Sequence, residues 1–141
     1  MKRLLAYLSL VVFPFSAFAQ QGKWEIKWNG KVLITADTEN IAAHIKQLKR
    51  NDLKQKGFLE IKFNEAIPNA WKRSFILNDE SDNELWRKDS TTKMKISIAQ
   101  LKNIFRGKKQ IIIYTTVSPS NPMMMVRMQH IHLCTLKFPN G

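Results

Sequence analysis

Cysteine is nearly absent, for Cys134 is the only one among 141 residues. A single thiol cannot close an internal disulfide, so packing alone must hold the fold. Histidine is scarce too, with three in the chain, which leaves little scope for a catalytic triad. No nucleophile elbow, phosphate-cradling glycine loop or zinc-protease motif occurs in the sequence, and these are the patterns that mark acyl, phosphoryl and metal-assisted chemistry. The expectation is a protein that is not an enzyme and carries no resident cofactor. Acidic side chains are also few, 11 against 23 basic, for a net charge of +12. No apolar run reaches the roughly 20 residues that a membrane-spanning helix requires.

The opening reads MKRLLAYLSLVVFPFSAFAQQ. Lys2 and Arg3 precede an apolar run from Leu4 to Phe15, broken by Ser9 and Pro14, and Ala17-Phe18-Ala19 follows. Positive n-region, apolar stretch and small-x-small site stand in the order that signal peptidase reads. Residues 1–19 are therefore expected to be a signal peptide and residues 20–141 one exported domain, periplasmic or extracellular and monomeric. A lipid anchor would place a cysteine just past the cleavage site, so none is expected, and no transmembrane segment remains in the mature chain. Removing Lys2 and Arg3 leaves 21 basic residues against 11 acidic, a net charge of +10. That charge suits an anionic envelope polymer, a nucleic acid or a membrane surface. Lys23, Lys27, Lys31, Lys46, Lys49, Lys54, Lys56 and Lys62 are spread along the chain, however. Dispersed charge for solubility competes with a dedicated binding patch.

The dominant pattern has period two. Lys23-Trp24-Glu25-Ile26-Lys27-Trp28 alternates apolar and charged residues, as a half-buried strand does. Asn29-Gly30 is a preferred type I′ turn pair, and residues 31–35 return as the partner strand. Further strands are expected at residues 58–63, 71–77, 84–88, 94–98 and 110–117, with a long last strand from about Met125 to Phe138 and a loop over 66–70. This spacing predicts an all-β chain, an antiparallel β-sandwich that is jelly-roll-like, with one or two short helices. NDLKQKGFLEIKF and AQLKNIFRGKKQIIIY form a weak repeat, in which a Leu-Lys pair, a helical turn and a glycine lead into a strand. Two readings stay open for residues 38–50. Ile41, Ile45 and Leu48 fit one helical face with Asp37 or Thr38 as cap, whereas the repeat favours an extended Ile45–Arg50.

Soft ligands crowd one stretch, MMMVRMQHIHLC at residues 123–134. On a regular strand Met128, His130, His132 and Cys134 would share a face. His130 and His132 could then lean onto one ion with Cys134 or Met128, and sulfur donors would select copper. The competing reading is a core strand, because methionine fills irregular gaps and a lone thiol behaves as a small hydrophobe. Met123, Met124 and Met125 follow Ser118-Pro119-Ser120-Asn121-Pro122 and could face a protein partner or cap the sandwich. Asp79-Glu80-Ser81-Asp82-Asn83-Glu84 gathers acids without calcium-loop spacing, which reads as a solvated hairpin turn. Trp24, Trp28, Trp71 and Trp86 could stack on sugars, yet their alternation favours the core.

A WEIKWNGK hairpin after the leader, WKRSFILNDESDNEL in the middle, and IIIYTT followed by HIHLCTL at the end resemble a group of small exported Bacteroidota-type β-sandwich proteins with no assigned function. The resemblance covers most of the mature chain, and its motifs are structural. It implies a sandwich made in the cell envelope or secreted, and supplies no active residues. It also implies that a basic residue is usual near position 130, so the His-x-His pair would be peculiar to this chain. Taken together, the leading expectation is a non-enzymatic binding or interaction module meeting an anionic envelope polymer or a protein. Copper binding through the last strand is the alternative.

Overall fold

The structure, a computed structural model, describes residues 22–66, 71–119 and 130–139. Nine strands and two short helices follow one another among them, in the order β1 (Gly22–Trp28), β2 (Lys31–Ala36), β3 (Ile45–Gln47), α1 (Arg50–Lys54), β4 (Phe58–Glu65), β5 (Trp71–Asn78), β6 (Glu84–Lys88), β7 (Lys93–Ser97), α2 (Ile98–Ile104), β8 (Gln110–Pro119) and β9 (His130–Lys137). A four-stranded sheet runs β2-β1-β4-β7 and a five-stranded sheet runs β3-β9-β8-β5-β6. This is the expected all-β sandwich with two short helices. The leader, the loop at 67–70 and the methionines at 123, 124, 125 and 128 lie outside the described residues.

Alternation decides which face each strand buries. Trp24, Ile26 and Trp28 of β1 face Leu59, Ile61 and Phe63 of β4, with Met94 and Ile96 of β7 beyond. From the other sheet come Phe75, Leu77, Ile111, Ile113, Ile131 and Leu136, and all of these belong to one buried cluster. The β1–β2 hairpin closes through Asn29 (φ 50°) and Gly30 (φ 81°), the left-handed pair that a type I′ turn requires. Both repeat helices sit where the repeat predicts them, each leading into a strand. Trp28 Nε1 donates to the Asp52 carbonyl at 3.1 Å, which ties α1 to the hairpin. Ser97 caps α2 by accepting from the Gln100 amide, a residue type suited to that role.

Residues 38–50 take the extended reading over only three residues. β3 pairs parallel with β9, Ile45 opposite Thr135 and Gln47 opposite Lys137. It is the one parallel pair among the described strands. The preceding turn packs His44 edge-on against Trp24 at 5.9 Å, so a contact with the far sheet outweighs the helical spacing of Ile41, Ile45 and Leu48. Ile41 is left exposed.

Candidate functional site

The histidine stretch departs from regular alternation. In β9, Cys134 lies opposite Ile113 and His132 lies opposite Tyr114. Leu133 is therefore an extra residue, a bulge that turns everything before it by one face. Ile113, Cys134, Ile111 and Leu136 point into the core, while Tyr114, Thr116, His130 and His132 point outward. The expected shared face for His130, His132 and Cys134 is thus corrected. The thiol and the two imidazoles lie on opposite sides of the sheet.

Each of these residues has its own setting. Burial pushes the Cys134 thiol up to about 12, which keeps it protonated and unreactive. His132 is 2 % exposed, and its Nε2 lies 2.7 Å from Thr135 Oγ1. Burial lowers its pKa, opposed by the Glu39 charge and assisted by His44. Its backbone amide donates to Glu39 Oε2 at 3.2 Å. His130 is exposed, and the Tyr114 ring lies 6.0 Å from it and 5.9 Å from His132. Among the described residues no group of three or more His, Cys, Asp or Glu side chains is arranged around one ion position.

The acidic turn between β5 and β6 is internally satisfied. Asp79 is buried, and its Oδ1 accepts from the amides of Ser81 and Asn83, both at 2.9 Å. Lys108 Nζ stands 3.1 Å from Oδ2. The Asn83 amide foremost, with Lys108 adding to it, lowers the carboxyl to about 2 against the cost of burial. Asp79 thereby organises the turn as an Asx motif. Trp24 and Trp28 are buried and Trp86 is packed partly against the core, which removes the first two from any sugar-stacking surface.

A different surface collects the charge that the sequence shows as scattered. The outward side of the β2-β1-β4-β7 sheet carries the rows Thr35-Glu25-Lys62-Lys93 and Val32-Lys27-Glu60-Lys95. Glu25 pairs with Lys27 at 3.2 Å and Glu60 with Lys95 at 3.7 Å. Lys62 and Lys93 stand directly opposite each other on neighbouring strands, and neither has a carboxylate partner among the described residues. Lys88, arriving from the edge of the second sheet, lines the same recess of about 350 Å³. Like charges opposed across a strand pair are destabilising, and Glu25 and Glu60, which line the same recess, offset that repulsion from neighbouring positions without pairing with either lysine. No residue-by-residue reading of the sequence brings these lysines together, because cross-strand register is needed to do so.

No family model matches the chain, and no curated protein or solved structure shows significant similarity to it.

Proposed function

We propose that the chain is an exported, non-enzymatic binding module whose four-stranded sheet receives an anionic envelope polymer on its outer face. The observation that carries this reading is the unpaired Lys62–Lys93 opposition with Lys88 beside it. A bound polyanion would neutralise that repulsion, converting a local cost in the free protein into affinity for the ligand. The lysines are exposed point charges on flexible stems and present no fixed fork, which suits a polymer with repeated charges better than a small rigid ligand. The positive charge of the whole chain would speed the encounter.

The test is a titration of the chain from Gln20 onward with dextran sulfate. Lys62→Glu/Lys93→Glu should lower affinity about tenfold or more, while Lys46→Glu/Lys137→Glu, the same charge change on the other sheet, should lower it less than about threefold. Affinity of the unaltered chain should also fall steeply as salt rises from about 50 to about 300 mM. Equal losses in the two double variants would refute a dedicated face. Salt-insensitive binding would direct attention to Met123, Met124 and Met125.

A further inference from the structure

The sandwich has a second basic surface, at the end where the two helices cross, and its composition differs from the sheet face. Phe58 opens β4 there and remains 43 % exposed. It is one of few large apolar side chains left outside among the described residues. Its neighbours make that exposure more unusual. Lys95 Nζ sits 4.2 Å from the centre of its ring. Beside it lies a recess of about 430 Å³ with Leu53, Phe58 and Ala99 lining it and Lys54, Lys56 and Lys102 around it. Lys102 also borders an adjoining recess shared with Asn103 and Arg106. No aspartate or glutamate lines either recess. Lys54, Lys56, Lys102 and Arg106 have no carboxylate partner among the described residues.

We propose that this helical end docks on the surface of an anionic lipid bilayer. Phe58 enters the headgroup region, and Lys54, Lys56, Lys102 and Arg106 meet lipid phosphate and carboxylate charge around it. A bilayer interface accepts both parts of such a surface together. Aromatic rings settle at headgroup depth, and lysine stems lie along apolar surface while their ammonium groups reach charged lipid. A hydrated polyanion would satisfy the cations and leave Phe58 in water. The two recesses adjoin at Lys95, which lines the Lys62–Lys93 recess and covers the Phe58 ring, but Lys54, Lys56 and Lys102 line only the helical one, so variants at those lysines test its occupant separately.

The experiment is co-sedimentation of the chain from Gln20 onward, which retains every member of the buried cluster described here, with vesicles. Phosphatidylcholine mixed with phosphatidylglycerol is compared with phosphatidylcholine alone. Binding should require the anionic lipid. Lys56→Glu/Lys102→Glu should lower partitioning about tenfold or more, given that each basic residue near the surface contributes severalfold. Phe58→Ala should lower it about fivefold. All three side chains are exposed, and circular dichroism of the variants should match the parent. Lys62→Glu/Lys93→Glu should change vesicle binding by less than about threefold while lowering polymer affinity about tenfold or more, so either reading can fail without the other. Binding to neutral vesicles as strong as to anionic ones would overturn the proposal, as would a Phe58→Ala variant that partitions like the parent. A single-stranded oligonucleotide serves as the rival ligand. If Phe58→Ala weakens oligonucleotide binding and not vesicle binding, the surface stacks on bases and the lipid assignment falls.

Discussion

Arg73 is the residue whose placement is least expected from its chemistry. It is 1 % exposed, between the two sheets of the sandwich. Its guanidinium pairs through Nε and Nη2 with both oxygens of Glu65, donates from Nη1 to Thr115 Oγ1 at 3.0 Å, and lies 3.5 Å over the Phe63 ring. Phe63 in turn stacks on Trp24. Every element of this arrangement compensates the loss of water around the charge. The fork geometry is specific to arginine, and the pair links the end of β4 to the start of β5. Removing one partner of such a pair leaves the other buried and uncompensated, which costs about 3–5 kcal/mol. Arg73→Met should therefore lower the free energy of unfolding by about that amount in urea titrations. Arg73→Met combined with Glu65→Leu should recover most of it. A double variant as unstable as the single one would mean that the arginine acts through packing on Phe63 and Thr115 instead of through Glu65.

At the scale of elements, the contacts between turns matter as much as the strands. Asn29 of the first hairpin donates its backbone amide to Phe58 at 2.8 Å and its side-chain amide to Gln55 at 3.1 Å. Gly57, just before β4, has no room for a side chain, since an added Cβ would stand 1.9 Å from Asn29 Oδ1 and 2.6 Å from Cγ. Gly57→Ala should cost about 1–3 kcal/mol by forcing the turn away. In an Asn29→Gly background, where φ is already positive, the same substitution should cost less than about 1 kcal/mol. Denaturant midpoints of the four proteins measure that coupling, and additive losses would place the clash elsewhere. The need for glycine here is close approach, whereas the repeat suggests a helix end. The strands themselves were legible because alternation and Asn29-Gly30 are local signals. The β9 bulge was not, since one extra residue in MQHIHLCTL leaves no mark on composition. What reveals it is the partner strand, where Ile113 and Tyr114 are consecutive while Cys134 and His132 are not. The basic face escaped for the same reason. Lys62 and Lys93 are far apart in the chain, and only pairing of β4 with β7 makes them neighbours.

For the whole molecule, the buried titrating groups define a pH range of greatest stability, and each edge has a nameable cause. On the acid side, His132 has a lowered pKa through burial, with Glu39 and His44 acting on it and Tyr114 packed against its ring. A lowered folded pKa means that the unfolded chain takes up the proton first, so stability is complete above the ordinary value of about 6.5 and declines as pH falls below it. Asp79, held at about 2 by the turn amides and Lys108, adds a second loss that begins below its ordinary value of 3.8 and continues toward pH 2. On the alkaline side the sign reverses. Cys134 is pushed from 9.0 up to about 12 by burial, so the unfolded thiol ionises first and stability declines above pH 9. Burial raises Tyr114 as well, with Asp82 adding to it, which steepens that flank. The protein should therefore be most resistant to urea between about pH 7 and 9. His132→Gln should flatten the profile between about pH 6.5 and 5 without moving the alkaline flank, and Cys134→Ala should soften only the alkaline flank. Urea midpoints for the three proteins across pH decide the matter. An acid flank unchanged in His132→Gln would assign it to carboxylates alone and remove the histidine from the stability of the fold.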